Sequence, residues 1–136
     1  MDGKRLLHPR ELQKRAAALA ALLGHTDFAL GCEPRHDGSA HLEIGEAYDW
    51  VVTERGQELE RRRTTDPDEL LYWFLCGLTS SMASDHEVRQ RRSGEDPRRQ
   101  LFAKEVALLE KLSPGWAARR RREQAETLAR YPFADR

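Results

Sequence analysis

The sequence predicts an α+β protein with an N-terminal helix, an antiparallel sheet of three to four strands, and three C-terminal helices. Apolar and polar residues alternate between residues 27 and 65, and glycine-containing turns separate the alternating runs. Each of the last three helical segments follows an Asp-Pro or Ser-Pro pair. A length of 136 residues without a linker or repeat predicts a single domain over residues 1–136.

The first helix is predicted over residues 9–24. Pro9 suits the first turn of a helix, and Gly24 suits its C-terminal end. Four strands are predicted, and the last is polar enough to lie at a sheet edge: residues 28–33, 41–44, 48–54 and 59–65. Short connections between the strands favour an antiparallel arrangement.

The three C-terminal helices are predicted from their start signals. A side chain that can cap a helix precedes a proline at Asp66-Pro67, Asp96-Pro97 and Ser113-Pro114. We expect the first of these helices to end near Arg91 and the last to end before Pro132.

Charge is balanced over the whole chain but not along it. There are 23 basic and 23 acidic residues, and a net charge of zero argues against a general nucleic-acid or membrane-surface protein. Residues 1–25 carry +3, residues 26–60 carry −7, and residues 61–136 carry +4. The acidic block predicts a partner of opposite charge. No segment has the apolar length of a membrane span.

The sequence contains no recognisable catalytic, cofactor or metal motif. Neither cysteine has a C-x-x-C partner, and no glycine-rich phosphate loop or nucleophile elbow is present. His36 and His41 flank a predicted turn, but two ligands are too few for a structural metal site. We predict that Cys32 and Cys76 are reduced, inert thiols facing apolar surroundings in a cytosolic protein; a disulfide between them is the alternative.

A group of charged residues near the end of the second helix has two interpretations. Glu87 and Arg91 have the spacing of a helical ion pair, and Asp96 and Arg99 follow shortly after. We favour a structural network of these four side chains. The alternative is a small enzyme that uses Glu87 and Arg91 with His86 in a cleft between helices.

Two arginine runs suggest a second alternative. Residues 119–122 and 61–63 consist of arginine alone, and a nucleic-acid-binding regulator could use both. We favour a solvated helix face for residues 119–122, with Arg119 paired to Glu123 and Arg122 to Glu126.

The second half of the chain resembles the immunity protein 63 family of bacterial polymorphic toxin systems. The resemblance covers roughly residues 48–136 and is carried by an ordered set of residues: Glu54-Arg55-Gly56, Asp68 to Trp73, Met82-Ala83, Glu87, Arg91, Asp96, Arg98-Arg99, Phe102, Leu108-Leu109, Trp116, Tyr131-Pro132-Phe133 and Asp135. It implies a small cytoplasmic protein that binds and blocks the toxin encoded beside it and has no catalytic activity of its own. We predict no cofactor.

The acidic block then has a possible purpose. Many toxins that act on nucleic acids are basic around the groove that binds them, and an acidic sheet surface could occupy such a groove. We therefore predict a toxin-contact surface on the β region that contains acids and two aromatic anchors: Glu43, Glu46, Tyr48, Asp49, Trp50, Glu54 and Glu58. Trp50 could instead belong to the core. The oligomeric state is left open.

Overall fold

The computed structural model describes residues 6–136 and confirms the α+β class. In chain order the elements are α1 (Pro9–Leu22), β1 (Asp37–Ile44), β2 (Tyr48–Glu54), β3 (Gln57–Thr64), α2 (Pro67–Arg89), α3 (Pro97–Leu112) and α4 (Pro114–Arg130). The chain divides into two compact units, one ending at Leu75 and the other running from Cys76 to Arg136. The single domain over residues 1–136 stays a prediction.

The predicted helix starts are confirmed. Prolines 67, 97 and 114 are the first residues of α2, α3 and α4. Asp96 caps α3 by accepting a hydrogen bond from the Arg98 amide at 2.9 Å, and Ser113 caps α4 through the Trp116 amide at 3.2 Å. These side chains satisfy amides that have no partner within the helix.

The three strands form one antiparallel sheet in the order β1-β2-β3. Arg55 and Gly56 connect β2 to β3, and both have the positive φ angles that tight hairpin turns require, 52° and 80°. Val52 pairs with Glu60 while Thr53 pairs with Glu58, so Leu59 is an extra residue, a β-bulge in β3.

The first predicted strand, over residues 28–33, is wrong. This segment is irregular, because the side chain of Gln13 on α1 takes up backbone groups that a strand would use. Gln13 Nε2 donates to the Phe28 carbonyl at 2.8 Å, and Gln13 Oε1 accepts from the Leu30 amide at 2.7 Å. A single backbone hydrogen bond joins this segment to the sheet, from the Leu42 amide to the Gly31 carbonyl at 2.8 Å. Cys32 is consequently exposed, not on an apolar strand face.

Each unit has its own buried core. In the first unit, α1 contributes Leu12, Ala16 and Ala20, and the sheet contributes Leu42, Tyr48 and Val51 together with the first turns of α2. In the second unit the core residues come from the rest of α2, from α3 and from α4: Leu78, Ala83, Val106, Leu108, Leu109 and Ala117. Of the helices in residues 6–136, none is long and apolar enough to cross a membrane.

A candidate partner-binding face on the sheet

One face of the sheet gathers most of the charged residues that the sequence singled out. Directly paired residues of antiparallel strands point to the same side, so Asp49 shares a face with Glu43 and Arg63, and Val51 shares it with Arg61. The bulge at Leu59 brings Glu58 onto this face although it lies three residues from Arg61. We call Glu43, Asp49, Glu58, Arg61 and Arg63 the charged face.

Arg61 is the hub of the charged face. Its Nη1 donates to Glu43 Oε1 at 3.0 Å and to Asp49 Oδ2 at 2.7 Å, while its Nη2 donates to Glu58 Oε1 at 2.7 Å. Arg63 Nε donates to Asp49 Oδ1 at 2.8 Å. The buried His41 forms a hydrogen bond through Nε2 with the other carboxylate oxygen of Glu43, Oε2, at 2.8 Å. Three carboxylates and two guanidinium groups therefore hold one another in place.

The same bonds keep the acids ionised. Hydrogen bonds from Arg63 and then Arg61 lower the pKa of Asp49, and a bond from His41 followed by one from Arg61 lowers the pKa of Glu43. Arg61 also lowers the pKa of Glu58 and has its own pKa raised, most strongly by that residue. Hydrogen bonding to the charged form favours that form.

In the structure, arginines of β3 partly neutralise the acidic block of residues 26–60. The charge count for residues 26–60 stops just before Arg61, Arg62 and Arg63, the arginines with which several of these acids pair. Over the sheet, residues 37–64, seven acids stand against four arginines, a net charge of −3. Glu46 and Glu54 are exposed and form no ion pair with any residue from 6 to 136, so they contribute most of the unbalanced negative charge.

The opposite face of the sheet carries the two predicted aromatic anchors in different settings. Tyr48 has no exposed surface, and its hydroxyl accepts a hydrogen bond from the Leu7 amide, so it is a core residue and leaves the contact surface. Trp50 is half-buried, and its ring lies 6.5 Å from that of Trp73 on α2. The Arg62 guanidinium lies 5.2 Å from the Trp50 ring centroid and 5.9 Å from that of Trp73.

The four residues predicted as one network form two separate groups. Glu87 is buried and bonded to Arg91, with Oε1 2.8 Å from Nη2, and this pairing lowers the pKa of Glu87. Asp96 instead bonds to Arg98 at 2.9 Å, and Arg99 bonds to Asp135 near the end of the described chain at 2.8 Å. The role of both groups stays a prediction.

The second group clamps the segment that follows α4. Arg98 donates to the carbonyls of Tyr131 and Pro132 at 2.8 and 2.7 Å, and Asp96 accepts from the Ala134 amide at 2.8 Å. The ring of Phe133 packs 6.3 Å from that of Phe102, with the Arg99 guanidinium 4.2 Å from its centroid. The side chains of this clamp belong to the set that carries the family resemblance, but no local sequence pattern predicts the contacts among them.

Of the three residues in the enzyme hypothesis, Glu87 is buried and Arg91 is exposed, and His86 lies at a groove. His86 lines a groove with a volume of about 450 Å³ together with residues of the following loop and α3: Arg92, Glu95, Arg99, Gln100, Ala103, Lys104 and Ala107. Glu87 and Arg91 do not line this groove; they bond to each other. The groove therefore does not join the three residues of the enzyme hypothesis.

The arginine runs are largely bound to carboxylates within the molecule. Arg119 pairs with Glu123 at 3.3 Å, as predicted, and Arg121 lies 3.6 Å from Glu110. Arg120 points into the helical unit and bonds to the buried Glu105 at 3.1 Å. Burial acts to lower the pKa of Arg120, but attraction by Glu105 raises it overall. In the other run each of the three arginines has a carboxylate partner on the sheet.

The described part of the chain contains no group of three or more histidine, cysteine or acidic residues arranged to hold a metal ion. Cys32 and Cys76 form no disulfide there. Cys76 is buried in α2, as its apolar neighbours predict.

Comparison with known families gives a match to Immunity protein 63 over residues 45–126. The chain belongs to the immunity protein 63 family. The matched region begins just before β2 and ends within α4. It contains Asp49, Glu58, Arg61 and Arg63 of the charged face, whereas Glu43 precedes it. No curated protein and no solved structure matches the chain significantly.

Proposed function

We propose that this immunity protein 63 family member binds a cognate toxin domain of a bacterial polymorphic toxin system and blocks it by non-covalent binding. The observation that supports the proposal is the family match over residues 45–126, which includes two of the three strands and all of α2 and α3. In this proposal the protein acts in the cytoplasm, has no catalytic activity of its own and requires no cofactor.

The charged face is the proposed contact surface. Asp49 itself is buried, so Glu43 and Glu58 supply the exposed acids of this face. Glu46 and Glu54 add exposed negative charge near the two ends of β2. Arg61 and Arg63 fix the carboxylates in position and lower their pKa, which preorganises negative charge for a basic partner. Glu46 and Glu54 form no ion pair within residues 6–136, and the net charge of −3 over the sheet favours a basic toxin surface. Trp50 lies on the opposite face of the sheet and Tyr48 is buried, so neither aromatic ring belongs to this surface.

Co-expression tests the immunity role. The toxin domain encoded next to this gene is expressed in a sensitive host with and without the protein, and growth is measured. We expect growth only when the protein is present, and we expect the two proteins to co-purify. Unchanged toxicity in the presence of folded protein would refute the proposal.

Charge reversal tests the contact surface separately. Glu46→Arg combined with Glu54→Arg reverses two exposed acids that support no ion pair in the described chain, so the fold should be unaffected. We expect slower association with the toxin and a weaker dependence of the association rate on salt. The matched control is Glu126→Arg, which reverses an exposed acid on α4. If the control and the double variant associate equally fast, the contact surface lies elsewhere.

A further inference from the structure

The outer edge of β3 is an open strand edge. The sheet order is β1-β2-β3, so β3 pairs with β2 on one side, and alternate backbone groups point away from the sheet on the other. Residues 57–63 are all exposed. At the opposite edge, the Leu42 amide of β1 donates a hydrogen bond to the Gly31 carbonyl, so part of that edge is covered. Of the two edges, β3 is therefore the one available over its whole length.

The charges on β3 do not protect its edge in the usual way. Charged side chains, prolines and β-bulges on an edge strand normally discourage edge-to-edge pairing. Here Arg61 and Arg63 bond to acids on the charged face, and Arg62 lies over Trp50 while bonding to Glu60 at 2.5 Å. The strand contains no proline, and its bulge at Leu59 leaves Glu60–Thr64 regular.

The sequence of β3 is complementary to itself in one antiparallel register. A two-fold axis between two β3 strands keeps equivalent faces on one side, so residues whose numbers differ by an even number must pair. With Arg61 on the axis, Glu60 of each copy lies opposite Arg62 of the other. Moving the two-fold axis one residue towards the C-terminus would place Arg62 of one copy opposite Arg62 of the other. Moving it one residue towards the N-terminus would place the two copies of Glu60 opposite each other. The two copies of Arg61 meet near the axis, where each is surrounded by three carboxylates.

We propose that two copies of this chain pair through β3, antiparallel and with Arg61 on the two-fold axis, so that their three-stranded sheets form one of six strands. Opposite charges facing each other across neighbouring strands stabilise the pairing, and like charges oppose it. The reciprocal pairs between Glu60 and Arg62 set the register. A toxin segment that adds to the same edge is the competing occupant.

Sedimentation velocity over a concentration series tests the dimer. We expect the wild-type protein to dimerise, and Glu60→Arg or Arg62→Glu to weaken dimerisation at least about tenfold, because two opposite-charge pairs become like-charge pairs. The double variant E60R/R62E restores opposite charges and should recover dimerisation. Glu126→Arg on α4 is the control and should dimerise like the wild type. Circular dichroism confirms that each variant is folded.

Three sedimentation results would overturn the proposal. If the wild-type protein stays monomeric at every concentration, β3 does not pair with a second copy. Single variants that dimerise as well as the wild type use another surface. Single variants that are monomeric, with no recovery in the double variant, exclude the register. Hydrogen exchange gives a second readout on the wild type: amides in residues 60–64 should exchange more slowly as concentration rises, and concentration-independent exchange would contradict pairing.

Discussion

Replacing Arg120 by leucine should destabilise the helical unit, because the change leaves a buried carboxylate without its charged partner. Glu105 on α3 is 2% exposed and accepts a hydrogen bond from Arg120 Nη2 at 3.1 Å. Ser80 Oγ donates to the same oxygen, and Gln124 Nε2 donates to the other at 3.0 Å. Both neutral donors remain in the variant, but neither supplies a positive charge.

The expected loss follows from the burial of the two partners. Leaving one charge of a buried pair uncompensated costs about 3–5 kcal/mol. We expect about 2–3 kcal/mol, because the Arg120 side chain is 26% exposed and Glu105 keeps two hydrogen bonds. Unfolding of 136 residues carries an entropy of about 0.29 kcal/mol/K, so the melting temperature should fall by about 7–10 °C.

Urea and thermal denaturation of four proteins measure this effect: the wild type, Arg120→Leu, Glu105→Leu, and the double variant. The double variant contains no unpaired charge, so its loss should be at least about 1 kcal/mol smaller than the sum of the two single losses. A loss below about 0.5 kcal/mol for Arg120→Leu, or losses that simply add, would refute the assigned role of the pair.

Three further predictions concern other contacts. Gln13→Ala should lower the free energy of unfolding in urea by about 2 kcal/mol, at about 1 kcal/mol for each lost hydrogen bond, and should speed hydrogen exchange of the Leu30 amide. Gln13→Glu keeps the acceptor, so the Leu30 amide should exchange more slowly in it than in the alanine variant. Asp135→Ala should speed exchange of the Asp96 amide, whereas Asp135→Asn should preserve more of its protection. Glu43, Asp49 and Glu58 have a lowered pKa in the folded state, so they stabilise the fold above their unfolded pKa, and the free energy of unfolding should fall as pH drops below about 4. The fall should be less steep in Arg61→Gln than in the wild type, and equal slopes of free energy against pH would contradict this.

Helix starts were predictable because their causes are local. A capping side chain followed by proline acts within one turn, and α2, α3 and α4 all begin where those pairs occur. The strand predicted over residues 28–33 failed for the opposite reason. Its backbone partners lie on the Gln13 side chain, at least 15 residues earlier, and no local pattern shows this.

The sequence predicted the acids of the candidate site but not the arginines that pair with them. The sequence identified Asp49 and Glu58, whereas Arg61 and Arg63 were considered as part of an arginine run that could bind nucleic acid. Alternation in a strand puts these two arginines on one face, and this signal was available. Their pairing with Asp49 required the register between β2 and β3, and the bulge at Leu59 that sets this register has no sequence signature.

The extra residue in β3 has a consequence for chain length. Removing Leu59 would let the strand run without its bulge while Glu58, Glu60 and Arg61 kept their present faces. Removing a residue from the regular run Glu60–Thr64 would turn part of the strand over and separate Arg61 or Arg63 from its acids. Position 59 is therefore where β3 can best tolerate a deletion, and relatives that differ in length here should keep the same charge pairs.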